Sequence, residues 1–357
     1  MEQPEPSNPV NRLRAPSGDL VFEDLLPVPD RIVALTFDDC STTHLEYVAP
    51  RLQQAGFGAT FYANGDFCAR GGGYCTWEQV RELHEMGFEI GNHLDRHVDL
   101  RASTPEEFTE NLLSMERFCA ENGIPKPTTF CYPGYHVNPK SLPVLKQQGY
   151  NFARRGCEPY SPFWDFQRGG RGPAYNPIED HPLLVPSTGA SGPNWSYDDF
   201  MWAVEQARDG NVAVLTFHGV PDEHQHCSTS REEFEKYLEF LELESCTVIA
   251  LRDLANYIDP AVIPAEPFTS MERKLRLTPS QLKSEYAVNP LGLDVPRPRL
   301  SWVLESSRRG QWQTAYQIIV SSDSQQLLQS RGDFWDSGKV ISDRSVHVAY
   351  GGKKLSR

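Results

Sequence analysis

Two adjacent aspartates and a pair of histidines three residues apart are the side chains of this sequence with the clearest chemical potential. Asp38 and Asp39 are neighbours, and His93 and His97 follow later in the chain. One carboxylate and two neutral imidazoles suit Zn²⁺ with an open coordination position. The second carboxylate could accept a proton while water attacks a carbonyl carbon. The combination predicts metal-assisted hydrolysis, whereas solvated turn residues and surface histidines are the alternative interpretation.

Each of these groups stands directly after a short apolar run. The polar positions are 38–39, 92–93, 132–136 and 218, and the runs before them are 32–37, 88–91, 128–131 and 212–217. Strands followed by helices run parallel, and their carboxyl ends share one rim of a βα barrel. We therefore expect all four polar clusters to surround one cleft. This placement favours a functional role for His218 over that of an ordinary core histidine.

Apolar runs alternate with amphipathic stretches between residues 20 and 260, which is typical of an α/β fold with parallel strands. The predicted strands are 32–37, 59–63, 88–91, 128–131, 151–153, 183–186, 212–217 and 247–251. Helices are predicted after Thr76, Thr104 and Ser196, because each is followed three residues later by a Gln, Glu or Asp that can complete an N-terminal cap. Seven or eight strands suit a barrel.

The pattern changes after residue 259, where a proline-containing link leads into period-two alternation with glycine turns. We predict a flexible leader over 1–19, an α/β domain over 20–260, a linker over 261–272 and an all-β domain over 273–357.

Four sequence motifs resemble, in order, those of the NodB-homology polysaccharide deacetylases of carbohydrate esterase family 4. They are TFDD at 36–39, ATFYANG at 59–65, EIGNHLDRH at 89–97 and LTFH at 215–218. The resemblance spans roughly residues 30–258. It implies a distorted (β/α) barrel and removal of N-acetyl groups from an amino-sugar glycan.

The resemblance also implies residue roles. Asp38 would be the general base and His218 the general acid, and Asp39, His93 and His97 would bind Zn²⁺ or another divalent ion such as Co²⁺ or Ni²⁺. The family's oxyanion contact comes from the metal and a backbone N–H, which maps here to the turn Tyr132, Pro133, Gly134 and Tyr135. These turn residues are counted as substrate-binding candidates, although the two tyrosines could simply fill the turn.

Cys131 stands where the family usually has an arginine that orients the base. We interpret Arg154 or Arg155 as its replacement. The family's tryptophan-containing fourth motif has only a loose counterpart at Trp164. Arg154 and Trp164 join the substrate-binding candidates.

The last part of the chain resembles the front of bacterial α-L-rhamnosidases. The matching segments are YAVNPLGLD at 286–294, PRLSW at 298–302, QTAYQ at 313–317 and DFWDSGKV at 333–340. In that family the region forms a fibronectin-III-like sandwich. We expect an incomplete version here, with an exposed edge. Without a rhamnosidase catalytic barrel, glycosidase activity is not predicted.

The net charge of −14 disfavours nucleic acid and acidic membrane surfaces as partners. Glycans or small amides fit better, and the sequence does not predict the oligomeric state. Apolar runs are too short to cross a bilayer. The first 19 residues have no apolar h-region, which predicts a cytoplasmic protein, or an extracellular or periplasmic one if the natural start lies upstream. The eight cysteines form no C-x-x-C pair, and reduced thiols are expected in preference to a Cys68–Cys75 bridge.

Three functions stay open at this point. The first is deacetylation of a glycan, predicted from the motif set. The second is hydrolysis of a small amide or ureide by a cytosolic enzyme of the same fold, favoured by the missing export signal and the altered third and fourth motifs. The third is glycan binding without turnover, if the Cys131 change has abolished catalysis.

Overall fold

The computed structural model describes residues 25–158, 168–222, 225–264, 278–288, 290, 292–305, 313–323, 326–327 and 331–355. The predicted leader over 1–19, most of the predicted linker and Trp164 lie outside these residues.

A nine-stranded sheet organises the N-terminal part. Its strands are β1 (Ile32–Phe37), β2 (Thr60–Ala63), β3 (Glu89–Asn92), β4 (Thr129–Cys131), β5 (Phe152–Arg154), β6 (Gly170–Arg171), β7 (Gly189–Ala190), β8 (Ala213–Phe217) and β9 (Thr247–Ile249). The order is β5-β4-β3-β2-β1-β8-β7-β6, with β9 paired to β1. All of these pairs are parallel except β6 with β7. The sheet is a curled half-barrel covered by helices, which confirms the predicted fold class.

Four of the seven α-helices in the described residues of this part begin at a reciprocal N-terminal cap. The seven are α1 (Ala49–Ala55), α2 (Gly65–Arg70), α3 (Trp77–Glu85), α4 (Pro105–Glu121), α5 (Ser141–Gln147), α6 (Tyr197–Glu205) and α7 (Arg231–Leu243). Thr76, Thr104 and Ser196 each form the reciprocal cap expected from the sequence, and Ser230 forms a fourth that was not predicted. Among the described residues, no helix combines the length and apolar character needed to span a bilayer.

The predicted strand at 183–186 is wrong. Pro182–Leu184 forms a 3-10 turn, and only Val185 bridges to β5. The reason is chemical, because Pro182 and Pro186 have no N–H to donate to a neighbouring strand. The strand predicted at 247–251 ends earlier, at Ile249, and a short helical segment, Leu251–Asn256, follows.

The centre of the sheet is buried on both faces. Every residue of β1 is buried, as expected for a parallel strand covered by helices on each side. The ring of Phe37 stacks on those of Phe61 and Phe217, with centroids 5.1 and 5.3 Å apart. This aromatic cluster lies directly below the end of β1 and supports the residues that follow it. The eight cysteines are unbridged, as predicted.

The described residues after 277 form small antiparallel sheets. They contain β10 (Thr278–Ser284), β11 (Arg299–Glu305), β12 (Ala315–Tyr316), β13 (Ile319–Val320), β14 (Trp335–Asp336), β15 (Val340–Ile341) and β16 (Val348–Ala349). The pairings are β10-β11-β16, β12-β15 and β13-β14. The prediction of an all-β C-terminal part is confirmed.

Candidate active site

The ends of β1 and β8 bring the two aspartates and His218 together. Phe37 and Phe217 are register partners at the ends of these adjacent strands, and the Asp38 N–H donates to the Phe217 carbonyl at 2.9 Å. Asp39 and Cys40 both have positive φ values, 71° and 57°. Such backbone conformations are unfavourable for residues with a side chain and are concentrated at functional sites. The sharp turn directs Asp39 across the end of the sheet.

One cavity of about 120 Å³ lies at this rim. It is lined by Asp38, Asp39, His93, His97, Gly134, Tyr135, His218, His226 and Cys227. All four predicted polar clusters contribute to it, so the structure contains the expected cleft. His226 and Cys227 are additional, and His226 is an exposed residue that also borders the cavity. No local pattern distinguishes His226, because only the return of its loop brings it to the rim.

Asp39, His93 and His97 are arranged as three ligands of one ion. Asp39 Oδ1 lies 3.3 Å from His93 Nε2 and 4.0 Å from His97 Nε2. Two ligand atoms that each lie about 2 Å from a tetrahedral zinc are roughly 3.3 Å apart. The buried Asp39 Oδ1 has no hydrogen-bond partner in the described part of the chain. A carboxylate oxygen without a donor, facing two imidazole nitrogens at this spacing, fits a divalent metal ion.

The surroundings hold both imidazole rings in suitable orientations. His93 Nδ1 lies 3.0 Å from the Cys131 carbonyl, which can only accept, so Nδ1 carries a proton and Nε2 is directed at Asp39. The His97 ring stacks on Phe67 with centroids 5.4 Å apart. Burial lowers the pKa of His97 to about 4. The ring is therefore neutral at neutral pH, which is the form that binds metals.

Asp38 is held by a buried arginine. An Arg154 Nη atom donates to Asp38 Oδ1, and both side chains are almost fully shielded from solvent. Burial alone would raise the pKa of Asp38, but the Arg154 guanidinium, helped by nearby histidines, lowers it below its usual value. The Cys131 thiol lies 3.7 Å from Asp38 Oδ2. Asp38 is thus an ionised carboxylate that can accept a proton.

Arg154 reaches Asp38 from β5, the strand next to β4. On β4, Cys131 stands where the motifs that this sequence resembles usually have an arginine. Arg154 on β5 is the register partner of Cys131 on β4. Of the two predicted replacements, Arg154 contacts Asp38, whereas Arg155 donates to the carbonyls of Leu184 and Gly156. Arg154 is fully buried and does not line the cavity, so its contact with substrate stays a prediction.

Two of the four predicted substrate-binding residues in the turn after β4 line the cavity. They are Gly134 and Tyr135. Tyr132 and Pro133 are buried and do not line it, and the Tyr132 hydroxyl donates to the Leu183 carbonyl at 2.9 Å. The reason is the positive φ of both Gly134 and Tyr135, which turns the chain toward the cavity only after Pro133.

His218 lies on the other side of Asp39 from the histidine pair. Its Nε2 is 3.7 Å from Asp39 Oδ2, and the side chain is 15% exposed. His218 Nδ1 has no hydrogen-bond partner in the described ranges. A partly exposed imidazole beside the carboxylates can transfer a proton to a group bound in the cavity.

Comparisons with known protein families match two separate regions of the chain. Residues 26–153 match the family model described as polysaccharide deacetylase. Residues 279–357 match the model described as the Rha78A-like, N-terminal immunoglobulin domain. The chain therefore contains one region similar to the polysaccharide deacetylases and a second region similar to the front of rhamnosidases.

Individual relatives follow the same division. The peptidoglycan-N-acetylglucosamine deacetylase of Bacillus cereus is 30% identical over 136 residues, which cover 38% of this chain and 60% of that protein. The α-L-rhamnosidase of Streptomyces avermitilis is 52% identical over 71 residues, covering 20% of this chain and 7% of that protein. The chain thus spans less than two thirds of either relative.

Among solved structures, the Bc1960 peptidoglycan N-acetylglucosamine deacetylase is similar with a TM-score of 0.46 and 17% identity. The match covers 64% of this chain and 89% of that chain.

Proposed function

We propose that this chain, whose residues 26–153 match the polysaccharide deacetylases, removes N-acetyl groups from an amino-sugar glycan with the help of a bound divalent metal ion. Zn²⁺ is the preferred candidate, with Co²⁺ and Ni²⁺ as alternatives. The observation that carries the proposal is the position of Asp39 Oδ1, which has no hydrogen-bond partner in the described residues and faces two imidazole nitrogens.

The residues around Asp39 can each take a separate part in amide hydrolysis. When bound, Zn²⁺ supplies a water of lowered pKa and polarises a carbonyl group. Asp38, kept ionised by Arg154, accepts a proton from the attacking water. His218 protonates the departing nitrogen. The C–N bond breaks, and the products are acetate and the free amine of the sugar.

The size of the cavity supports reaction at a small group. Its volume of about 120 Å³ corresponds to roughly four water molecules. Pockets that enclose whole ligands usually measure about 300–1,000 Å³. An acetamido group can enter this cavity, while the sugar ring that carries it stays at the rim beside Tyr135 and His226.

Acetate release from N-acetylglucosamine oligomers and peptidoglycan fragments tests the proposal. Asp38→Asn removes the proton acceptor and should lower kcat by about 10²–10⁴-fold. His97→Ala should abolish activity by removing a metal ligand. His84→Ala, which replaces a histidine on α3 outside the cavity, is the matched control. Equal acetate release from parent, Asp38→Asn and His97→Ala would refute the assignment.

The same small cavity favours one alternative, hydrolysis of a small free amide or ureide. A panel of linear and cyclic amides distinguishes the two substrates. A glycan deacetylase should prefer acetylated sugar oligomers over these compounds by a large factor in kcat/KM. The opposite preference would move the proposal to the small-amide class while leaving the roles of Asp38 and His97 intact.

A further inference from the structure

His44 is a buried histidine outside the set discussed so far. It begins the short π-helical segment His44–Val48, which follows the turn after the two aspartates, and its side chain is completely shielded from solvent. The ring packs against Phe37 and Phe61, with centroid distances of 5.6 and 5.3 Å. A polar ring in an aromatic core needs a hydrogen bond to offset its burial.

The partner of His44 is the backbone of His218. His44 Nε2 lies 3.0 Å from the His218 carbonyl oxygen. Because a carbonyl can only accept, His44 must donate from Nε2. Nδ1 has no hydrogen-bond partner among the residues that the structure describes. Burial lowers the pKa of His44 to about 4, so the ring remains neutral and keeps this single proton near neutral pH.

Thr43 adds further hydrogen bonds to the loop that follows His218. The Val220 N–H donates to Thr43 Oγ1 at 2.9 Å, and Thr43 Oγ1 donates to the Pro221 carbonyl at 3.2 Å. Ser41 Oγ lies 3.0 Å from Thr43 Oγ1. The turn that carries Asp38 and Asp39 into the site thus also binds the backbone of the loop that carries His218.

We propose that His44 is a positioning residue for His218, setting the place of the proton donor relative to Asp39 through the hydrogen bond to the His218 carbonyl. This inference rests on the proposed function, in which His218 protonates the leaving nitrogen. Misplacement of a catalytic group by about 1 Å can cost roughly 10²-fold in rate. The contact therefore belongs to the catalytic geometry as well as to the core.

Two substitutions separate the hydrogen bond from the packing. His44→Phe keeps an aromatic ring against Phe37 and Phe61 but removes the donor. His44→Gln places an amide N–H near the position of Nε2. For deacetylation we expect His44→Phe to lower kcat by about 10- to 100-fold with little change in KM, and His44→Gln to recover most of the loss. His84→Phe is the control.

The identity of the leaving group supplies a readout that a purely structural defect would not change. An amide nitrogen must be protonated as it leaves, whereas 4-nitrophenolate departs without a proton donor. His44→Phe should therefore lose much more activity toward acetylated sugar oligomers than toward 4-nitrophenyl acetate, as should His218→Ala. Combining the two changes should add no further loss. Equal loss on both substrates, or additive effects, would overturn the inference.

The proposed function and this inference fail in distinguishable ways. A parent protein that releases no acetate from any glycan refutes the function. The positioning claim is then decided by the ring ¹H–¹³C resonance of His218, assigned with His218→Ala. His44→Phe should shift or broaden that resonance, and an unchanged signal contradicts the claim. If His44→Phe does not fold, Thr43→Val, which removes the neighbouring contact to the same loop, takes its place in both measurements.

Discussion

At the scale of single residues, the buried pair of Asp38 and Arg154 is the most consequential contact in the site. Both side chains are almost fully removed from solvent. Taking two charges out of water is costly, and each is tolerated because the other is present. Cys131 stands where the deacetylase motifs that this sequence resembles usually have an arginine, and its thiol contacts the same carboxylate without supplying charge.

Removing only Arg154 should therefore be severe. We expect Arg154→Met to lower the free energy of unfolding by about 3–5 kcal/mol, because Asp38 is left as an uncompensated buried charge. The double variant Asp38→Asn, Arg154→Met should recover much of this loss. Urea denaturation measures all three, with Arg81→Met on the exposed face of α3 as the control. Additive losses would show that the two residues do not act as a pair.

The metal-binding prediction is also decided by single residues. The parent should retain close to one zinc per chain after dialysis, and His97→Ala should retain much less, whereas His84→Ala should match the parent. Chelation should lower the Tm of the parent, because a ligand that binds only the folded state stabilises it. His97→Ala should show a much smaller shift. Mass spectrometry for metals and thermal denaturation supply the two readouts.

At the scale of elements, Glu89 joins three strands at the end of the sheet where β3 begins. Its carboxylate accepts hydrogen bonds from Thr60 on β2 at 2.6 Å, Thr129 on β4 at 2.7 Å and the Arg252 N–H at 2.9 Å. Burial is the largest influence on this group, and it raises the pKa of Glu89 above the ordinary value of 4.5. The folded state therefore holds the proton more tightly than the unfolded state.

This difference predicts how stability depends on pH. The stabilising contribution of proton binding to Glu89 is fully present below pH 4.5 and is lost as the pH rises through the higher pKa of the folded state. Glu89→Gln has no such titration. The unfolding free energy of the parent relative to Glu89→Gln should fall between pH 4.5 and pH 8. Urea titrations across this range test it, and a constant or rising difference would contradict it.

Helices and strands differed in how well local sequence predicted them. Each predicted helix start has its cap within three residues, so the signal and its effect lie in the same turn. The strand predicted at 183–186 does not form, because strand pairing depends on which backbone groups the two adjacent segments can offer each other. Among residues 183–186, only Val185 pairs with the neighbouring strand, through the carbonyl of Ala153 and the N–H of Arg155.

At the scale of the whole molecule, the C-terminal segment has its own small core. Trp302 is 8% exposed, and its Nε1 donates to Gln313 Oε1 at 2.9 Å. The Gln313 amide in turn donates to the carbonyls of Ser342 and Arg344. These contacts connect β11 with distant parts of the same segment. The residues of the candidate site lie between 38 and 227, in the other part of the chain.

Because the candidate site lies in the other part of the chain, a substitution in the C-terminal core should have only a local effect. Trp302→Ala should cost about 3–5 kcal/mol within the C-terminal segment. Limited proteolysis should then show faster cleavage after residue 277, while metal content and acetate release stay at parental values. Trp77→Ala, at the start of α3, provides the reverse comparison, because it changes the packing of the N-terminal part. Loss of metal in Trp302→Ala would show that the two parts depend on each other for folding.

Sequence alone determined the features that depend on nearby residues. The apolar run of β1 followed by Asp38 and Asp39 predicts both a buried strand and polar groups at its end. The same logic predicts His93 and His218, because parallel strands place their carboxyl ends at one rim. The metal-binding and catalytic roles of these residues stay predictions for the experiments above.

Only the tertiary structure decided which distant residues support that rim. Arg154 reaches Asp38 because β5 pairs with β4 in a register that places it beside Cys131. His44 is buried because its ring packs against Phe37 and Phe61 in the aromatic cluster below β1, and Tyr132 turns away from the cavity. Each outcome depends on contacts between segments far apart in the chain, where burial and pairing are set by the packed fold and leave no periodic or capping signal in the local sequence.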